Sequence, residues 1–363
     1  MHRSAASLLA LAAARSRAIA PATYALRGVD LAARWRALVR DGAVSAATDE
    51  ATYGVRCYVD GDYRFFVEGA SERAKALNAT LSRGDGFVIW RDGPFEAQLQ
   101  LSRALRPAPM FGGEGTAPCV PPPYERGSLV EGPLRLELRP KAAAVAVNDR
   151  RWDVYHNVAP CDPRGHFLVL PDVSDRSTWR AQALTREDAL DLVALGADAP
   201  GLALVFNSVG AGASQNHIHC HAWPAAAYAV AAAPPRREAR AGNVDVALLE
   251  YPLAVVRLRA NDAAALGHAL GAVVAAVAAE GRPHNVCVLG ATAYVGVRAG
   301  ERAPQQLAGR LGAAEVLGVF HCTSAGDFER AKTPGTMRAA LGAVSADPGD
   351  VWRLVCGALD VRM

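Results

Sequence analysis

Histidine occupies alternate positions in one short stretch of the chain, His217-Ile218-His219-Cys220-His221. In extended backbone, residues two apart point the same way. The three imidazoles are therefore expected on one face of a strand, with Ile218, Cys220 and Ala222 turned toward a core. The whole sequence holds nine histidines in 363 residues, so three within five positions is a concentration that chemistry could use. Three readings fit it. A neutral imidazole can attack phosphorus and form a phosphoramidate, dividing one hard substitution into two easier ones. A His-x-His pair on a strand can place two ring nitrogens on a zinc ion. The third reading is a polar strand edge. Against the metal stand Cys220, which points to the opposite face, and the lack of an Asp or Glu close in sequence. No metal ligand set and no cofactor are assigned.

The preceding loop, Asn207-Ser208-Val209-Gly210-Ala211-Gly212-Ala213-Ser214, supports chemistry at phosphate. Gly210 and Gly212 permit close backbone approach to an anion, and Ser214, Gln215 and Asn216 supply hydrogen-bond donors around it. Small residues followed by donors, leading into histidines, read as an anion cradle.

The elements that must position these residues read as a mixed, α+β set. Val55–Val59 and Tyr63–Val67 are β-rich runs joined through Asp60-Gly61, a hairpin signal. Phe95, Ala97 and Leu99 alternate with polar neighbours, and Leu134–Leu138 is strand-like. Residues 107–133 carry seven prolines and five glycines, which predicts an irregular excursion. Further strands are expected over Tyr155–Pro160, Gly165–Pro171 and Leu202–Phe206. Thr185 with Asp188 forms a capping-box signature for a helix that stops near Pro200. Residues 225–235 read as an Ala/Pro-rich link. The second half repeats this grammar: a strand over Tyr251–Leu258, then a long Ala/Val helix capped by Asn261 and ending near Gly281. Strands follow at His284–Leu289, Tyr294–Val297 and Val316–Cys322, and a closing helix lies around Val351–Leu359.

Composition sets the outer bounds. The chain is 51% hydrophobic and 21% charged, and 39 basic against 36 acidic residues give a net charge of +3. That balance does not argue for nucleic-acid or membrane binding. The seven cysteines are dispersed, with no C-x-x-C pair, which fits reduced thiols better than a disulfide framework. Residues 1–28 are rich in arginine, serine and alanine and hold no acid. They read as an organellar targeting segment, although Ala5–Ala14 also has the character of a signal-peptide core.

Asn207-Ser208-x-Gly210-Ala211-x-Ala213-Ser214-x-Asn216-His217-Ile218-His219-x-His221 resembles the histidine-triad superfamily of nucleotidyl transferases and hydrolases. In appearance it is similar to the GDP-hexose phosphorylases, of GDP-D-glucose and GDP-L-galactose type. Asn157-Val158-Ala159-Pro160 with Gly165-His166-Phe167-Leu168-Val169-Leu170-Pro171 resembles that group's Asn-Val-x-Pro and Gly-His strand pair. His284–Val288 and Val316–Phe320 are similar to its carboxy-terminal half.

The resemblance implies an antiparallel sheet with helices in two unequal halves, residues 29–232 catalytic and 233–363 C-terminal. It implies His219 as nucleophile, His217 orienting it and His221 contacting the phosphate. Asn157, Asn207, Gly212, Ser214, Gln215 and Asn216 would lie along the nucleotide and its phosphates, with His166 behind them. The implied reaction is phosphorolysis of a GDP-hexose by inorganic phosphate to GDP and hexose-1-phosphate, in the cytoplasm. Where dinucleoside tetraphosphate phosphorylases and the plant enzyme carry glutamine, this chain has His221, as GDP-glucose enzymes of animal type and the hydrolases do. Trp223-Pro224 departs from the tyrosine-rich stretch expected there. Ser214-Gln215 also resembles diadenosine tetraphosphate phosphorylases. That activity, hydrolysis by water, and a metal- or nucleotide-binding protein without turnover are the alternatives.

Overall fold

A computed structural model of the chain describes residues 24–40, 87–100, 121, 124, 141–157, 160–162 and 164–362. The strand runs at 55–67, the excursion at 107–133 apart from positions 121 and 124, and the strand at 134–138 lie outside the described residues. So do Val158, Ala159 and residues 1–23.

The dominant element is one ten-stranded sheet, antiparallel at every pairing. In chain order its strands are β1 Lys141–Val147, β2 Arg150–His156, β3 Phe167–Pro171, β4 Leu202–Asn207 and β5 Cys220–Pro224. There follow β6 Pro235–Ala241, β7 Val244–Leu249, β8 Ala254–Arg259, β9 His284–Leu289 and β10 Thr292–Val297. Across the sheet the order is β6-β7-β8-β10-β9-β4-β5-β3-β2-β1. The first five strands thus run 1-2-3-5-4 and the second five 6-7-8-10-9. Each set has one long helix between its third and fourth strands, α1 Arg186–Asp198 and α2 Ala263–Ala279. The two sets share one topology and meet where β4 pairs with β9, Asn207 opposite Asn285.

Both sheet faces are covered. One carries α1 and α2 with Leu192, Leu195, Leu270 and Val274 in a core that also takes Ile218, Cys220 and Ala222. The helices approach closely because Gly267 and Gly271 sit four apart on α2: a Cβ at Gly267 would lie 2.9 Å from the Leu190 Cα. The other face carries a small sheet of Phe87–Asp92, Phe95–Gln100 and Val319–Cys322, in which the last two strands run parallel. Burial on both sides explains why β4 reads as an unbroken apolar run, Leu202–Phe206, instead of an alternating one.

The capping box of α1 forms as its sequence predicts, the Thr185 hydroxyl accepting from the Asp188 amide and the Asp188 carboxylate accepting from the Thr185 amide. Four readings shift. Residues 313–317 are a short helix and not the start of a strand. The Gly312 amide donates to Glu315 at its start, and Gly318 ends it in the left-handed region at φ 101°. The cap of α2 is Asp262, one residue past Asn261. The link over 225–235 holds a helical turn, Ala229–Ala232, and leads into β6. Finally, Tyr24 to Gly28, inside the segment read as a leader, belong to the packed fold: Tyr24 and Leu26 are buried, and the Tyr24 hydroxyl donates to the Arg164 carbonyl.

Candidate active site

Strand β4 delivers the chain into the glycine loop, where Gly210 and Gly212 take φ of 73° and 102°. The chain returns through 215–219 into β5. The strand proper begins at Cys220, so His217 and His219 precede it and only His221 lies within it. Alternation nevertheless holds at its core side: Ile218, Cys220 and Ala222 are fully buried toward α1 and α2. His221 sits between Leu168 of β3 and Val205 of β4.

The three histidines do not act as one row of rings. His219 and His221 meet edge to face with centroids 5.1 Å apart. The His217 ring instead packs against Tyr124 and Trp179, its Nδ1 3.0 Å from the Tyr124 hydroxyl. What His217 gives to His219 is its backbone: the carbonyl lies 2.7 Å from His219 Nδ1. A carbonyl only accepts, so that nitrogen carries the proton and the lone pair of neutral His219 resides on Nε2.

A third ring comes from elsewhere, His166 in the Gly-His step before β3. The Cys161 amide donates to His166 Nδ1 over 3.0 Å, so the neutral ring bears its proton on Nε2. That proton faces His221 Nδ1 at 3.0 Å, which leaves the His221 proton on its own Nε2. Asn157 Nδ2 lies 3.2 Å from the same His166 nitrogen; two N–H groups cannot pair, so this tautomer has the carboxamide turned with its oxygen toward the ring. The chain of bonds therefore sets two complementary tautomers side by side, a lone pair on His219 and a donor on His221.

Burial and the neighbouring His219 and Arg180 push the His217 pKa down to about 3. Its folded value lies below the unfolded 6.5, so the unfolded chain takes the proton first as pH falls. Its contribution to stability is complete above pH 6.5 and drains away between 6.5 and 3. At full effect the slope is about 1.4 kcal/mol per pH unit. Chemical denaturation of the native chain and of His217→Asn between pH 5 and 7 should show a steeper loss in the native chain; parallel curves would refute a neutral, buried His217.

Gln182 carries no motif, yet it clamps the histidine segment. Its side chain donates to the carbonyls of Asn207 (2.9 Å) and His219 (3.1 Å) and accepts from the His219 amide (2.9 Å). Its own amide donates to Asn216 Oδ1 over 3.2 Å. Ser214 is half-buried, while Gln215 is buried with an Oε1 that has no hydrogen-bond partner among the described residues.

The loop is bolted from the second set of strands. Asn207 Oδ1 accepts from Asn285 Nδ2 (2.7 Å) and from the Ala313 amide (2.8 Å). Asn285 also donates to the Ala211 carbonyl, and Arg298 Nε donates to Asn285 Oδ1 over 2.6 Å. The remaining Arg298 nitrogens donate to the carbonyls of Leu311 and Gly312. Complete burial lowers the Arg298 pKa to about 10. Gly212 gives its amide to the Glu301 carboxylate at 2.8 Å, so the structure spends on the protein a donor expected to face phosphate. The close approach it allows is to Gly312, whose Cα would lie 2.7 Å from an added Cβ. Arg310 closes the set, donating to the Ala213 carbonyl and to Glu301. Sequence proximity to the histidines signals none of Asn285, Arg298, Glu301 or Arg310. No group of three or more His, Cys, Asp or Glu side chains that could hold a metal occurs among the described residues.

No protein-family model matches the chain, and no curated protein matches its sequence. The solved structures include yeast Ap4A phosphorylase Apa2 in complex with AMP, which superposes with a TM-score of 0.56 at 11% identity, covering 87% of this chain and 94% of that one. The same yeast protein in complex with Ap4A gives 0.50 at 13% identity, over 74% and 94%. The chain thus has a histidine-triad-like fold, a large antiparallel sheet with helices. Yeast Ap4A phosphorylase Apa2 is among the solved proteins that share this architecture.

Proposed function

We propose that this chain is a nucleotidyltransferase in which His219 Nε2 attacks the α-phosphorus of a nucleotide compound, with residues 29–232 as the catalytic half. The observation that carries the reading is the pair of fixed tautomers, His219 poised as nucleophile and His221 as donor to a phosphate oxygen. As the N–P bond forms, the bond from phosphorus to the bridging oxygen breaks and the leaving group departs as a phosphate anion. Inorganic phosphate then attacks the nucleotidyl-histidine, giving a nucleoside diphosphate and restoring neutral His219. Positioning and charge stabilisation by His221 and the loop serve both steps.

For the substrate, the shared fold favours a dinucleoside tetraphosphate over a GDP-hexose. Ap4A would yield ATP in the first step and ADP in the second. His221 in place of glutamine favours the second reading, release of hexose-1-phosphate from GDP-glucose and formation of GDP. Incubation with Ap4A and with GDP-glucose, each with and without phosphate, separates them. Phosphate-dependent ADP and ATP support the first, and phosphate-dependent GDP the second. Equal turnover without phosphate would make the protein a hydrolase, and no turnover of either substrate would overturn the proposal.

A further inference from the structure

A cavity of about 350 Å³ opens beside the histidines, between β5 and the small sheet. Trp223 is the shared wall. It lines the cavity and stands 5.3 Å from the His166 ring and 6.4 Å from His221. The rings of His219, His221 and Trp223 follow one another at alternate positions, centroids 5.1 and 6.4 Å apart in turn, so a path of rings leads from the attacking histidine to the cavity wall.

The lining has a definite chemistry. Its carboxylates are matched by its own arginines, Arg91 with Glu96 and Arg164 with Asp162, both at 2.6 Å. Paired charges suit a neutral ligand better than a free phosphate. Glu96 and Gln98 line it from one face of the Phe95–Gln100 strand, Gln98 Nε2 donating to Glu96 over 2.6 Å, and the buried Gln100 behind them donates through Nε2 to Gln98 Oε1 over 2.7 Å. Gln100 donates as well to the carbonyl of Cys161, whose amide holds His166. Trp223 and Tyr228 add aromatic surface, the indole N–H donating to the tyrosine hydroxyl at 2.9 Å. Carboxylate and carboxamide groups in a row beside an aromatic wall match the alternating hydroxyls and C–H face of a sugar ring. The volume is at the small end of the ~300–1,000 Å³ typical of ligand pockets, which suits one ring and not a whole second nucleotide.

Resting on the nucleotidyl-transfer reading, we propose that this cavity binds the sugar of the leaving group, the ring beyond the phosphate bridge. Two sources share that chemistry, a hexose joined through a diphosphate and the distal ribose of a dinucleoside polyphosphate.

The test fills the cavity and compares leaving groups. Ala227→Trp at the exposed rim and Ala314→Met on the opposite wall both narrow it without touching the histidines. Each variant is assayed with GDP-glucose, with Ap4A, and with adenosine and guanosine 5′-phosphofluoridates, whose leaving group is a single fluoride. The expected result is at least a tenfold loss of kcat/KM, carried by KM, for the sugar-bearing substrate the native protein uses. Covalent labelling from the phosphofluoridate should stay within twofold. A loss confined to GDP-glucose identifies the hexose, and one confined to Ap4A the ribose. Equal losses on all substrates, or none in either variant, would overturn the sugar cavity while leaving nucleotidyl transfer standing. If the native protein is labelled by neither phosphofluoridate and turns over neither sugar-bearing substrate, both readings fail together.

Discussion

The His219→Asn protein is expected to form no covalent nucleotidyl adduct when incubated with α-phosphate-labelled Ap4A or GDP-glucose, and its kcat/KM should fall on the order of 10⁴-fold or more. Asparagine is the informative replacement because its amide N–H can still donate to the His217 carbonyl that now holds Nδ1. The loop then keeps its anchor and only the lone pair at Nε2 is lost. Acid-quenched protein counted for label, with thermal unfolding run in parallel, separates lost chemistry from lost structure. Stoichiometric label on a folded His219→Asn protein would place the nucleophile elsewhere.

The second large effect is on stability. Arg298 is buried and donates to Asn285 and to the carbonyls of Leu311 and Gly312. Arg298→Leu would leave Asn285 Oδ1 and the Leu311 carbonyl without this donor, would leave the Gly312 carbonyl only the Val316 amide, and would remove a buried cation that interacts with Glu315 and Glu301. Removing one partner from such a buried charged network costs about 3–5 kcal/mol, to be read from urea unfolding. Arg298→Lys should recover only part of the loss, because an ammonium cannot reproduce the planar fork that reaches three acceptors in different directions. If Leu and Lys variants unfold like the native protein, the network does not brace the loop.

The sequence makes some of this legible and hides the rest for identifiable reasons. Thr185 and Asp188 announce the start of α1 because a capping box is local, three residues closing on each other. The alternation around His219 is equally local. It places Ile218 and Cys220 in the core, but it overextends the strand, since Gln182 holds the His219 backbone through side-chain bonds that replace a ladder. A lone glutamine in an irregular segment advertises nothing of the kind. Strand β6 escapes because Pro235–Ala241 is an exposed edge, rich in arginine and without an apolar face. The 313–317 helix is masked by Val316 and Leu317, apolar enough for a strand, while Glu315 and Gly318 decide the matter as caps. Asn285 and Arg298 lie 78 and 13 positions from partners they reach only after the sheet has formed.

The repeated strand order has a consequence for how such a protein could change over time. Two copies of one topology offer two equivalent places for chemistry, but the fifth strand of the second copy, Thr292–Val297, contains no histidine. The residues that flank it, Asn285, Arg298 and Glu301, hold the loop of the first copy. One twin has become the jig in which the other is clamped. Drift in the copy that lacks the histidine triplet is thereby constrained by the reaction of its neighbour, and neither copy could be discarded as spare.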